Sequence, residues 1–244
     1  MRFTFAPMFK NINFKSVLIG GFFTAFVPVG AFLYLKLTGH DGRIILPKTF
    51  GIDKIDTNIV DGKTQYDTTF HTVKDIILIN QLGDTVSINN TLKGKILILD
   101  FFFTSCTSIC PELSKNMKLL NRAFVKNDSL IQFLSISVDP KNDSVLKLRL
   151  YADKYNANHD KWFFLTGKKE DIYNYARKEL FLDLEQGDGG EDDFIHPEKF
   201  VLIDKYRNIR GYYNGLDSNN VRLAAEDASY LMVEKNRIHE KNNR

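Results

Sequence analysis

Residues 96–117 read Ile-Leu-Ile-Leu-Asp-Phe-Phe-Phe-Thr-Ser-Cys-Thr-Ser-Ile-Cys-Pro-Glu-Leu-Ser-Lys-Asn-Met. The first eight are β-prone and apolar apart from Asp100, the composition of a strand buried on both faces. A helix follows: Pro111 suits a first helical position, and Leu113, Met117, Leu120 and Phe124 recur at helical spacing. The chain's two cysteines, Cys106 and Cys110, therefore fall at a strand-to-helix junction. In open α/β sheets such junctions, at the carboxyl ends of the strands, are where ligands bind.

Downstream, residues 130–138 form a second apolar strand. Asp139-Pro140 then turns the chain into a helix from Asp143, as N-cap, to Tyr155. Residues 162–165 read as a short strand and 169–180 as an amphipathic helix. An acidic, glycine-containing loop spans 183–193. After it, His196-Pro197 introduces a strand over 200–204, a second over 209–213 and a last helix ending near Glu234, with a polar tail at 235–244. Upstream, 76–79 and 85–88 flank a turn at Gly83 and predict a hairpin. Parallel βαβ alternation followed by a ββα end is the thioredoxin arrangement. The expectation is an α/β, thioredoxin-like three-layer sandwich over 72–234, with an added N-terminal β-hairpin and an inserted strand–helix unit.

The amino-terminal end differs. Arg2, Lys10 and Lys15 lie in residues 1–15, and no charge interrupts 16–35. A single transmembrane helix is expected at 16–36, long enough for a bilayer. The positive-inside rule places 1–15 in the cytoplasm and the domain outside it. A cleaved signal peptide is the alternative, but the run is longer than its usual apolar region and no small-x-small site follows. Residues 37–71 mix Gly, Pro, Asp, Lys and Thr without period and read as a tether.

With 244 residues, 43% hydrophobic and 26% charged, the chain holds about one domain beyond the anchor. A formal net charge of +3, with no basic cluster interleaved with aromatics, excludes nucleic acid as the expected partner. Two cysteines cannot build a disulfide framework; their closeness points to a redox pair, a metal site or one local disulfide.

A helix amino terminus stabilises thiolate, the form needed for disulfide exchange and for metal ligation. Two soft thiolates suit Cu(I), and one imidazole would complete a trigonal site. Of the five histidines, His40 falls in the tether, His71 before the hairpin, His159 in a polar loop and His239 in the tail. His196 precedes a strand, in a loop that a thioredoxin-like sheet carries past the cysteines. A solvated loop histidine is the plain alternative. Asp100 is a strand-end aspartate with a local partner or a proton-transfer group, Asp139 is a turn former first, with help in shaping the site as the alternative, and Met117 is a core residue sooner than a copper ligand.

Four stretches then carry a resemblance: 103–111 around the cysteines, Ser137-Val138-Asp139-Pro140 with Asp143 behind it, 162–167, and His196 before 201–204. In order and spacing over 72–234 they resemble the Sco/SenC family. The resemblance implies a thioredoxin-like domain tethered by one amino-terminal helix on the periplasmic side of the inner membrane, or in the mitochondrial intermembrane space. It implies copper, as Cu(I) with Cu(II) left open, on Cys106, Cys110 and His196. It further implies delivery to the dinuclear copper centre of cytochrome c oxidase, or to another extracytoplasmic copper protein. The expected role is a metallochaperone rather than an enzyme, with thiol–disulfide reduction through Cys106 and Cys110 as the alternative. Ile195 stands where the family often has Asp before its histidine, and Pro197 leaves the isomer of the preceding bond open.

Overall fold

The computed structural model describes residues 14–37, 47–60, 63–125, 129–182 and 198–234. The chain divides into two units, residues 1–45 and residues 46–244.

The first unit contributes helix α1, Phe14–Leu37. Phe22, Phe26, Val29 and Phe32 are exposed on it. Counting only the described residues, no helix is long and apolar enough to cross a membrane.

The second unit is built on a seven-stranded sheet. Its strands are β3 (Ile77–Asn80), β4 (Thr85–Ser87), β5 (Ile96–Phe102), β6 (Ile131–Ser137), β7 (Trp162–Thr166), β8 (Lys199–Ile203) and β9 (Ile209–Asn214), in the order β4-β3-β7-β6-β5-β8-β9. Strands β5, β6 and β7 pair in parallel, and the other pairings are antiparallel. β5 sits near the centre and is buried along its whole length, as its unbroken apolar run requires.

Alternate residues of β5 feed two cores. Ile96, Ile98 and Phe102 pack with Leu113, Met117 and Leu120 of α2 (Cys110–Ala123), Leu148 of α3 (Val145–Lys154) and Ala224 of α5 (Ser218–Val233). Leu97, Leu99 and Phe101 face the opposite core, with Ile172 and Tyr173 of α4 (Lys169–Asn174) and Leu78 of β3. This is the expected three-layer sandwich, with the β3–β4 hairpin on one edge and β7–α4 inserted in the middle. Gly83 takes φ +91° in the hairpin turn, a conformation that costs glycine little.

Three local expectations are revised. The stretch read as an irregular tether contains an antiparallel hairpin, β1 (Ile52–Val60) with β2 (Lys63–Phe70), forming its own two-stranded sheet. Its apolar residues Ile55, Ile59 and Tyr66 are exposed, so no buried face imposed an alternating pattern legible in the sequence. The amphipathic helix at 169–180 is α-helical only to Asn174 and continues as a π turn, Tyr175–Glu179, closed by Leu180 N–H on the Tyr175 carbonyl at 3.1 Å. The N-cap of α3 is Ser144, whose side chain accepts from Lys147 N–H, and not Asp143, which is occupied elsewhere.

Arg210 ties the domain's ends together. It donates to the Pro47 carbonyl at 2.8 Å and pairs with Asp204 at 3.0 Å and Glu234 at 2.9 Å.

Candidate functional site

The site forms where β5 ends. Residues 103–106 close a turn, with Cys106 N–H donating to the Phe103 carbonyl at 3.3 Å, and α2 begins at Cys110 with Pro111 in its first turn. Ile109, at the N-cap position, offers no side-chain acceptor. The Cys106 sulfur supplies one, accepting the Cys110 N–H at 3.4 Å. A sulfur standing in a helix-capping position faces unpaired N–H groups and the positive end of the helix dipole, which favours thiolate.

Both cysteines are free and buried, yet their acidities diverge. Burial alone would push the Cys106 thiol up, but hydrogen bonds from the Cys110 thiol and N–H and from Ser108 outweigh it and hold Cys106 below the usual thiol range. Cys110 goes the other way. Burial pushes it up strongly, donating its proton toward Cys106 adds to this, the Phe103 backbone N–H partly offsets it, and the Cys106 and Asp100 charges raise it further. The pair is thus split, Cys106 being the more acidic thiol and Cys110 the less acidic one.

Asp100 lies on the face of β5 turned toward α2, fully buried. Ser135, its register partner on β6, donates its hydroxyl to Asp100 Oδ1 at 2.6 Å, and Trp162 Nε1–H donates to that same hydroxyl oxygen at 2.9 Å. The other carboxyl oxygen has no hydrogen-bond partner among the described residues. Burial pushes Asp100 up to about 7, against a smaller lowering by Ser135. The local partner of the plain reading is Ser135.

Met117 is fully buried in the core, as expected. Asp139 forms its turn, its carbonyl accepting from Asn142 and Asp143 and its carboxylate from the Asn142 amide. His196, Pro197 and the acidic loop lie outside the described residues, as do His40 and His239. His159 bonds Gln81 and Asp153. His71 is enclosed by Asp53 at 3.2 Å and Glu179 at 3.4 Å and packs edge-on against Phe181. Among the described residues no group of three or more His, Cys, Asp or Glu side chains could hold a metal ion.

Sequence reasoning missed Ser108 as a hydrogen-bond partner of Cys106, 3.7 Å away, and Tyr151, whose hydroxyl meets that of Ser114 one turn after Cys110 at 2.9 Å. A serine two residues from a cysteine carries no signal of its own, and Tyr151 reaches the site only through the packing of α3 on α2.

The chain and its fold have parallels among known proteins. The SCO1/SenC family matches residues 64–231. A SCO1 protein homolog of Bacillus subtilis is 34% identical over 140 residues, 57% of this chain and 72% of the relative. A Stutzerimonas stutzeri protein named for copper binding is 30% identical over 125 residues, 50% of this chain and 59% of its own length. Among solved structures, a SCO1/SenC family lipoprotein from Bacillus anthracis superposes with a TM-score of 0.59 at 28% identity, covering 66% of this chain and 95% of that one. BsSco, described as a member of the Sco family of cytochrome c oxidase assembly proteins in which a disulfide switch was identified, gives 0.57 at 29% identity, with 67% and 95% covered. With its thioredoxin-like sheet and a matched span of more than half its length, the chain belongs to the SCO1/SenC family.

Proposed function

We propose that the protein is a copper metallochaperone serving cytochrome c oxidase assembly. Cys106 and Cys110 hold Cu(I) as thiolates, and His196 completes a three-ligand site. The observation that carries this reading is the free, buried pair at the amino end of α2, with one sulfur already favoured as thiolate. Copper is a soft ion suited to such donors, and relatives carry both the copper and the oxidase-assembly descriptions. Transfer proceeds by ligand exchange. An acceptor thiolate enters the open three-coordinate ion, Cys106 or Cys110 leaves, and copper passes without release to water.

An amino-terminal anchor is part of the proposal. The uncharged run at 16–35 and the basic residues Arg2, Lys10 and Lys15 before it support it. The domain would then face the periplasm or its mitochondrial equivalent.

The test is Cu(I) competition on the reduced protein. One equivalent binds, and Cys106→Ala, Cys110→Ala and His196→Ala each weaken it sharply. A His196→Ala protein that binds as tightly as the parent removes histidine from the ligand set.

The split acidity of the cysteines favours a second reading, thiol–disulfide reduction, in which the Cys106 thiolate attacks a partner disulfide and Cys110 resolves the mixed disulfide. Reduction of a model disulfide by the metal-free His196→Ala protein at the parent's rate identifies that activity as independent of copper.

A further inference from the structure

The turn presenting the cysteines is gripped by an element that supplies no ligand. The dithiol depends on where residues 103–106 sit: Cys106 N–H closes the turn on the Phe103 carbonyl, and the Cys106 sulfur accepts the Cys110 N–H that opens α2. The next residue, Thr104, gives its N–H to Asp143 Oδ2 at 3.1 Å and its hydroxyl to Asp143 Oδ1. Asp143 comes from the loop between β6 and α3 and is fully buried. Its Oδ2 also takes the hydroxyl of Ser137, the last residue of β6 and the register partner of Phe102. Ser137 in turn accepts the Asp139 N–H at 3.1 Å.

A helix cap does not explain Asp143, because Ser144 fills that position. Its described hydrogen-bond partners are the neutral donors of Thr104 and Ser137. What a carboxylate does here that a neutral side chain does less well is accept three converging hydrogen bonds while offering no donor that would repel them. The consequence falls on the turn: Thr104 is held at both its N–H and its hydroxyl, two residues before Cys106.

The geometry points to Asp143 as a positioning residue for the dithiol, its carboxylate locking Thr104 and so setting the placement of the Cys106 and Cys110 sulfurs. This rests on the dithiol being the working site, as proposed above, and Asp143 itself ligates nothing.

The test reads two equilibria on the full chain. One is Cu(I) affinity against a chromophoric chelator. The other is disulfide formation with oxidised glutathione, in which the dithiol gives two electrons and two protons and two glutathione thiols are released. Asp143→Ala leaves the Thr104 and Ser137 donors unpaired and is expected to lower both constants about tenfold. Asp143→Asn restores them to within about threefold, because its carbonyl takes Thr104 while its amide donates to the Ser137 oxygen. Ile209→Val, a truncation in the opposite core, lowers Tm and leaves both constants unchanged. If Asp143→Ala does not fold, Thr104→Val, which keeps the N–H and loses the hydroxyl, carries the test with about a threefold loss. The proposal is overturned if Asp143→Ala, or Thr104→Val in its place, moves neither constant, or if an equal thermal destabilisation by Ile209→Val moves them as far. A parent that binds no Cu(I) refutes the copper reading alone, because the glutathione equilibrium still decides the role of Asp143.

Discussion

Replacing Asp100 by Asn should stabilise the protein, and more so as pH rises. In the folded chain Asp100 keeps its proton up to about pH 7, against an ordinary 3.8, because burial disfavours the charge. Below 3.8 both folded and unfolded chains are protonated, and the group is neutral to stability. Between 3.8 and about 7 the unfolded chain releases a proton that the folded chain retains, so stability falls with pH. Above 7 the penalty is complete. Each unit is worth about 1.36 kcal/mol, so the difference of roughly three units amounts to about 4 kcal/mol at pH 8 and about 1 kcal/mol at pH 4.5. Asparagine keeps an acceptor for the Ser135 hydroxyl and cannot ionise. Urea denaturation of the reduced, metal-free protein at pH 4.5 and 8 measures both values. Asp100→Asn should gain about 3 kcal/mol more at pH 8 than at pH 4.5. An equal effect at the two pH values would show that Asp100 is not a buried acid with a raised pKa, and the electrostatic account of the Cys110 environment would fail with it.

Other outcomes follow from the same geometry. Carboxymethylation at pH 7 should label Cys106 before Cys110, since only the former is held below the usual thiol range, and Cys110→Ala should slow labelling of Cys106 by removing its thiol donor. Peptide mapping at short times checks both, and equal rates would contradict the split. Gly215→Ala should destabilise by at least about 1–3 kcal/mol through overpacking, because an added Cβ would stand 2.5 Å from Leu113 Cδ2 and 2.9 Å from the Phe200 ring. A Tm equal to the parent's would show that α2 can shift there freely.

Much of the fold was legible because its decisive elements are buried on both faces or strictly periodic. The 96–102 strand, the α2 face of Leu113, Met117 and Leu120, and the Gly83 turn each announce themselves through composition alone. What stayed hidden has no such pattern. The β1–β2 hairpin presents Ile55, Ile59 and Tyr66 to solvent, so no core face wrote a period of two into it. Asp143 looks like an N-cap because Asp is favoured there, and only the three-dimensional return of Thr104 and Ser137 shows its carboxylate to be spent on the cysteine turn. In the site the two cysteines were evident from spacing, but the difference in their acidity comes from the burial of Cys110 and the hydrogen bonds between the two cysteines, with smaller contributions from Ser108, Phe103 and Asp100.

The central claim is a Cu(I) ion held by two sulfurs and one imidazole. X-ray absorption at the copper edge, on the reduced protein loaded with one equivalent of Cu(I), tests it most directly. The account predicts two sulfur scatterers from Cys106 and Cys110 and one nitrogen that disappears in His196→Ala. A copper shell of two sulfurs alone, or a nitrogen that survives His196→Ala, would contradict it.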